Sequence, residues 1–189
     1  MLAVIKPENM KAAIRRVRAG TAAGPSDHIT AEVYRTCIED EDESLVEHLI
    51  ELYADIQLRG EMTPNMKEGV TTMVYKGEPK PKNDPANYRP VTVTAVEYRI
   101  LATAMAQRLA EIMHRLIGGS QIGFQILRDI SENIDLMEET LRYANNEGRE
   151  RGGAVAILDN AHAFDYVAWP FMFRTLEAFG LPSCFVNMI

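Results

Sequence analysis

Apolar residues return at helical spacing along most of the chain. Over 45–56 and 97–117 they recur every three or four residues, which predicts two long amphipathic helices. Gly60 is expected to end the first of these, and Pro64 to prevent its return. Weaker patterns of the same kind predict helices after Pro7 and over 29–38, 130–144 and, as the last helix, 170–179. The apolar face predicted for 97–117 consists of Ile100, Leu101, Met105, Leu109, Ile112 and Leu116.

Three short stretches have the composition of β-strands. Residues 70–75 and 91–94 are rich in β-branched side chains, and residues 76–90 between them carry several prolines and Gly77. Because such a segment must be a loop, we predict that the two strands pair through it. A continuous apolar run over 154–158 predicts a short strand that is buried on both faces. The pattern as a whole predicts a helix-rich α+β fold with few short antiparallel strands.

Charge is distributed unevenly along the chain. The net charge of −7 argues against a simple nucleic-acid-binding module. Residues 76–128 nevertheless have a balance of +4, whereas residues 1–75 have −5 and residues 129–189 have −6. Any contact with phosphate groups is therefore expected in the middle of the chain. Charged residues recur too often for any apolar run to reach the length of a membrane span, so no membrane partner is predicted.

Asp159 follows the apolar run 154–158 directly. A carboxylate at the end of a buried strand is a suitable metal ligand, because the strand fixes its position while its tip remains open. Magnesium prefers hard oxygen ligands, and polymerases transfer phosphoryl groups with two divalent ions. One aspartate cannot build such a site, and in isolation Asp159 is better explained as a cap on the turn after a strand.

Lys76 and Arg89 flank the proline-rich loop between the first two predicted strands. Two strands joined by a basic loop could place both side chains against a triphosphate, since arginine offers a planar fork and lysine a point charge. In isolation, a solvated charged loop explains the same residues better.

Gln121, Gly123 and Phe124 form a third candidate group. Glycine permits close approach of a backbone, and phenylalanine can either stack or pack. Taken alone, this pattern is only weakly specific.

In this order and at these spacings, the candidate groups together resemble the LINE-type (non-LTR) retrotransposon reverse transcriptases. The resemblance covers nearly the whole chain. Its motifs are Gly24-Pro25, Val74-Tyr75-Lys76, Tyr88-Arg89-Pro90-Val91-Thr92, Arg108-Leu109, Gln121 with Gly123-Phe124, Asp159 with Ala163-Phe164-Asp165, and Phe179-Gly180-Leu181-Pro182.

The resemblance implies a role for each candidate residue. Asp159 would be the first catalytic aspartate of the palm, and the backbone carbonyl of Asn160 would be a further metal ligand. Phe164 would be the steric gate beneath the sugar of the nucleotide. The remaining roles would be contact with the triphosphate, for Lys76 and Arg89, and the lining of the template path, for Gln121, Gly123 and Phe124. Asp165 is interpreted as a structural helix-start residue.

The implied activity is that of an RNA-directed DNA polymerase. The resemblance implies Mg²⁺ or Mn²⁺ as cofactor, an RNA template, a DNA primer and deoxynucleoside triphosphates as partners in the intact enzyme, and an intracellular location, nuclear and cytoplasmic. It also implies that residues 1–150 form the fingers with early palm helices, and that residues 151–189 begin a palm whose sheet is incomplete.

The sequence departs from the family in ways that bear on activity. Ala161-His162 stands where the family has a Glu-Lys pair, and no Asp-Asp pair occurs in the 189 residues. The second aspartate motif, the rest of the palm, the thumb and an endonuclease domain are therefore expected to be missing, and whether the chain acts as an enzyme stays open. We expect no activity from this chain alone. The alternatives are a decayed remnant of a retroelement, or a host-retained module that binds RNA or serves as a scaffold without catalysis.

Overall fold

The computed structural model describes residues 5–25, 29–39, 43–125, 128–146, 156–160, 163–164 and 166–189. The predicted α+β class, helix-rich with few antiparallel strands, is confirmed. The α-helices are α1 (Pro7–Arg16), α2 (Ala31–Glu39), α3 (Glu43–Arg59), α4 (Pro64–Lys67), α5 (Val96–Leu116), α6 (Ile130–Asn146), α7 (Trp169–Ala178) and α8 (Ser183–Val186). The strands are β1 (Gly69–Tyr75) and β2 (Tyr88–Thr94), and a 3-10 turn covers Pro85–Asn87.

The chain forms two compact units. One consists of Met1–Gln107 with Leu181–Ile189, and the other of Arg108–Gly180. These units are defined by compactness, so the assignment of 1–150 to fingers and 151–189 to palm stays a prediction. Among the described residues, no helix has the length and apolar character needed to cross a membrane.

The first unit has a core built from the apolar faces of its helices. Helices α1, α2 and α3 pack against one another, and α3 also contacts α8. The predicted spacing of apolar residues explains this packing, because residues three or four positions apart share one face of a helix. Each fully buried aliphatic side chain of this kind contributes about 1.5–3 kcal/mol. The largest fully buried side chains are Met10, Ile14, Val46, Tyr53, Ile56, Val96 and Ile100.

Only the first half of the apolar face predicted for α5 is buried. Ile100, Leu101 and Met105 lie in the core of the first unit, whereas Ile112 is exposed. Leu109 and Leu116 are half-buried. The spacing of apolar residues predicts a face of the helix, but the burial of that face depends on the elements that pack against it.

Arginine side chains attach the segment after α1 to the rest of the first unit. Arg99 of α5 donates to the Thr21 hydroxyl at 2.6 Å and to the Ala22 carbonyl at 2.7 Å. Arg35 of α2 donates to the Val17 carbonyl, directly after α1, and to the Arg15 carbonyl in the last turn of α1 at 2.7 Å. These contacts hold an irregular loop against two helices, and so supply partners for backbone groups that no helix or strand satisfies.

The predicted pairing of the first two strands is confirmed, but residues 88–90, which were predicted as loop, belong to β2 because they continue the ladder opposite residues 73–75. Strands β1 and β2 are antiparallel, in a register that runs from Gly69 opposite Thr94 to Tyr75 opposite Tyr88. The Thr71 and Thr92 hydroxyls, which face each other across the pair, are 2.8 Å apart. The strands therefore form a hairpin whose tip is the proline-rich loop.

Two short helices correct the prediction. Pro64 was expected only to prevent the return of the helix that ends before Gly60, yet it begins a new helix, α4, and α8 follows α7, the predicted last helix. Proline is well tolerated in the first turn of a helix because the N–H that it lacks has no partner there in any case. Helix α4 buries Met66 just before β1, so this short turn contributes to the core.

The second unit differs in its burial. Every described side chain of α6 is exposed, and Ile122 is a buried residue of the loop before it. The strand predicted over 154–158 is wrong for its described part, because residues 156–158 form no strand and Ile157 is 84% exposed. A central strand needs hydrogen-bonding neighbours, and among the described residues the only sheet is the pair β1–β2.

Candidate nucleotide and nucleic-acid site

Lys76 and Arg89 lie on the same face of the hairpin. Arg89 is opposite Val74 in the ladder, and side chains alternate between the two faces of a strand. Lys76 continues this ladder beyond β1, since its backbone N–H donates to the Asn87 carbonyl at 2.8 Å. Lys76 and Arg89 are therefore diagonal neighbours across the two strands, a relationship that typically separates residues by about 7–8 Å.

The two cations differ in how they are held. The Lys76 ammonium donates to the Ala86 carbonyl at 2.7 Å, which draws it towards the loop. Arg89 is exposed, and its guanidinium has no hydrogen-bond partner among the described residues. A planar group with free donors is well suited to bind phosphate oxygens. The face that carries both cations can thus accept an anion without first breaking an arginine ion pair.

The loop between the strands has its own network of hydrogen bonds. The hydroxyls of Tyr75 and Tyr88 donate to the carbonyls of Lys80 and Lys82, the second at 2.9 Å. The Asn87 amide donates to the carbonyl of Pro81 at 2.9 Å. The structure thus adds three residues to the site. Sequence reasoning gave them no role, because their contacts depend on the loop conformation rather than on spacing.

The segment that contains Gln121, Gly123 and Phe124 is a compact loop between α5 and α6. Arg128 donates to the carbonyls of Gly118, at 2.8 Å, and of Gln121. The Gln121 amide donates to the Gly123 carbonyl at 3.3 Å. Phe124 has a left-handed φ of 60° and is 96% exposed, so it is available for stacking and does not pack. An added Cβ on Gly123 would lie 3.7 Å from the Gln121 Nε2, an ordinary van der Waals contact.

Asp129 begins the helix that follows this loop. Its carboxylate accepts a hydrogen bond from the Ser131 backbone N–H at 2.8 Å. That bond, with help from the Ser131 side chain, lowers the pKa of Asp129 from its ordinary value. Asp129 therefore carries its negative charge at the N-terminus of α6, where the helix dipole favours it.

Asp159, Asn160 and Phe164 lie on an irregular, exposed stretch of the second unit. Phe164 is 84% exposed, and its carbonyl accepts a hydrogen bond from the Val167 N–H at 3.4 Å. Ala161, His162 and Asp165 lie outside the described residues. The described part of the chain contains no cluster of three His, Cys, Asp or Glu side chains that could hold a metal ion.

The candidates form three local groups. Lys76 and Arg89 share a face of the hairpin in the first unit. Gln121, Gly123 and Phe124 share one loop in the second unit, and Asp159 and Asn160 are adjacent in the same unit. The roles that the resemblance gives to these residues stay predictions.

One family model and two known proteins match this chain. The family model described as "Reverse transcriptase (RNA-dependent DNA polymerase)" matches residues 79–189, more than half of the chain. The "Transposon TX1 uncharacterized 149 kDa protein" of Xenopus laevis is 30% identical over 103 residues, which are 54% of this chain and 8% of that protein. The "Retrovirus-related Pol polyprotein from type-1 retrotransposable element R2" of Nasonia vitripennis is 28% identical over 169 residues, 89% of this chain and 15% of that protein. This chain spans less than a sixth of either relative's length.

Proposed function

We propose a function from one premise: this chain belongs to the reverse transcriptase (RNA-dependent DNA polymerase) family, in its LINE-type (non-LTR) branch. The proposed function is that of the fingers and early palm of an RNA-directed DNA polymerase. In the intact enzyme, this part would help to add deoxynucleotides to a primer 3′ hydroxyl on an RNA template. Residues 1–150 would form the fingers with early palm helices, and residues 151–189 would begin the palm.

The observation that carries this proposal is the shared face of Lys76 and Arg89 at the tip of the hairpin. Two cations on one face match the charge of a triphosphate, and the arginine fork can bind two of its oxygens at once. The stretch 76–128 is also the part of the chain with a positive balance of charge. We therefore assign the triphosphate to this face.

The other residues would act on the nucleotide and the nucleic acids. Phe164, with its exposed ring, would exclude the 2′-hydroxyl of a ribonucleotide. Phe124 would stack in the template path, together with Gln121 and Gly123, because an exposed aromatic ring accepts any base. An RNA template, a DNA primer and an intracellular location, nuclear and cytoplasmic, belong to this proposal.

The metal donors in the described part of the chain are of the correct type but too few. The Asp159 carboxylate and the Asn160 carbonyl are hard oxygen ligands, which suit Mg²⁺ or Mn²⁺. The described residues do not gather a third ligand around them, and a two-metal site needs several carboxylates. Since the 189 residues also contain no Asp-Asp pair, we propose that this chain alone does not extend a primer.

Binding of a deoxynucleoside triphosphate, measured by equilibrium titration of the 189-residue chain, tests the assignment. Arg89→Ala should weaken binding at least about tenfold, because a hydrogen bond to a charged group contributes about 1.5–3 kcal/mol. Arg59→Ala is the matched control, since Arg59 is exposed on α3 and paired with Asp55 at 2.8 Å. Equal affinity of the wild type and Arg89→Ala would contradict the assignment. Binding of RNA without any binding of triphosphate would favour the non-catalytic RNA-binding module.

A further inference from the structure

Three successive backbone carbonyls in the loop of the hairpin are each bound by a side chain from the base of that loop. The Tyr75 hydroxyl binds the carbonyl of residue 80, the Asn87 amide that of residue 81, and the Tyr88 hydroxyl that of residue 82. We call these three side chains the loop clamp. Tyr75 ends β1, Tyr88 begins β2 and Asn87 directly precedes it, so the clamp ties the middle of the loop to both sides of its base.

Further contacts surround the clamp. The rings of Tyr75 and Tyr88 are 5.6 Å apart at a tilt of 52°, and the Lys82 ammonium lies 5.6 Å from the centre of the Tyr75 ring. Asp84 accepts a hydrogen bond from the Ala86 N–H at 2.9 Å. The carbonyl of the same Ala86 is the acceptor for Lys76. The loop is therefore held from its centre as far as Ala86, whose carbonyl orients the Lys76 ammonium.

A loop of this length with no such contacts would sample many conformations. Ordering it when a ligand binds would then cost conformational entropy and reduce the affinity for that ligand. The clamp removes this cost in advance, because the loop is already fixed in the free protein. A loop that served only as a flexible connection would not need side chains on three successive carbonyls.

We propose that Tyr75, Asn87 and Tyr88 are positioning residues, which fix the loop so that Lys76 and Arg89 form a preorganised site for a triphosphate. This inference rests on the proposed function, because it takes the triphosphate as the ligand of that face. The clamp residues act through the loop and do not themselves touch the phosphates. Their hydroxyl and amide groups therefore affect the affinity for the triphosphate indirectly, through the conformation of the loop.

The experiment compares Tyr75→Phe, Tyr88→Phe and the double variant with the wild-type 189-residue chain. Phenylalanine keeps both rings and removes only the hydroxyl donors. Tyr98→Phe is the matched control, since the Tyr98 hydroxyl has no hydrogen-bond partner among the described residues. Hydrogen exchange of the Ala86 and Asn87 amides, which both donate to Asp84, reports on the loop. Titration with inorganic tripolyphosphate reports on the site, and the thermal midpoint reports on global folding.

The double variant should exchange its loop amides about tenfold faster and bind tripolyphosphate about tenfold more weakly, with an unchanged thermal midpoint. In an Arg89→Ala background, the same substitutions should change affinity less, because positioning through Arg89 is then lost. Unchanged loop exchange would overturn the clamp. A loosened loop with unchanged affinity would overturn the positioning role. A wild-type chain that does not bind tripolyphosphate, but whose loop loosens in the variant, would refute the proposed function and leave the clamp as a structural device.

Discussion

Gly24 lies so close to Ala95 that a Cβ on Gly24 would be 2.5 Å from the Ala95 Cα and 2.8 Å from its backbone nitrogen. Ala95 is fully buried at the junction between β2 and α5. The contact therefore holds the loop after α1 against the point where the hairpin leads into the longest helix. Glycine is needed here for close approach of two backbones rather than for an unusual φ angle.

Gly24→Ala should destabilise the chain by about 1–3 kcal/mol, because the added methyl group meets backbone that cannot rotate away. The free energy of unfolding in urea measures the change. Gly118→Ala is the control, since nothing lies within 4 Å of a Cβ at Gly118, and it should change stability by less than about 0.5 kcal/mol. Equal effects of the two substitutions would contradict the close contact.

Tyr53 links α3 to the start of α5 through a buried hydrogen bond. Its ring is fully buried, and its hydroxyl donates to the Glu97 carbonyl at 2.8 Å. Tyr53→Phe should cost about 1 kcal/mol of stability, the usual net contribution of such a bond. Tyr98→Phe is the matched control and should have little effect. An unchanged midpoint of urea unfolding in Tyr53→Phe would contradict the link.

The burial of Tyr53 also predicts a loss of stability in alkali. Burial, and then the nearby charge of Glu97, raises the pKa of the Tyr53 hydroxyl well above its ordinary value of 10.0. The unfolded chain therefore releases this proton at a lower pH than the folded chain, so stability falls as the pH rises above about 10. The fall should be shallower in Tyr53→Phe, measured as the slope of unfolding free energy against pH.

Much of the fold could be predicted because its elements are long or sharply bounded. The apolar spacing of α3 and α5 extends over several turns, which makes the helical period clear, and the proline-rich loop separates β1 from β2. Helices α4 and α8 were missed because four residues hold barely one helical turn. The apolar run over 154–158 could not be assigned correctly. Such a run indicates that the residues favour burial, but it does not show which element would cover them.

The candidate site was predictable only in part. The pairing of the two strands was predictable, but the shared face of Lys76 and Arg89 was not, because the sequence placed both residues in the loop 76–90, whereas β2 begins at Tyr88. The loop clamp is not visible in the sequence, because it depends on which carbonyls the loop turns towards Tyr75, Asn87 and Tyr88. The conformation of a loop is set by many weak contacts rather than by a repeating pattern.

Glu32 predicts how the chain responds to acid. The Gly20 backbone N–H donates to its carboxylate, and this bond, with the Thr30 hydroxyl next in importance, lowers the pKa of Glu32 from 4.5 to about 2. The unfolded chain thus takes up the proton first, so the contribution of Glu32 is complete above pH 4.5 and is lost as the pH falls towards 2.

Glu32→Gln should therefore be less stable than the wild type at neutral pH, and the difference should shrink as the pH falls through that window. Urea unfolding at a series of pH values measures the difference. Glu47→Gln is the control, because Glu47 is exposed on α3 and has no hydrogen-bond donor among the described residues. A difference that stays constant from neutral pH to pH 2 would rule out the contribution of Glu32.

The same substitution at two isoleucines on different helices should have a large effect on stability at one and almost none at the other. Ile100 of α5 is 1% exposed in the core of the first unit, whereas Ile134 of α6 is 47% exposed. Ile100→Ala should cost about 2–5 kcal/mol, since it removes buried methyl groups and leaves a cavity. Ile134→Ala should stay within about 0.5 kcal/mol, because the removed atoms already face water.

The comparison needs one probe for each unit, because α6 belongs to the unit formed by Arg108–Gly180. Hydrogen exchange resolves the two, as it reports protection separately for α5 and α6. Exchange within α5 should rise strongly in Ile100→Ala, and exchange within α6 should be unchanged in Ile134→Ala. A large loss of protection in α6 of Ile134→Ala would mean that the face carrying Ile134 packs against a partner in solution. The description of that face as exposed would then be wrong.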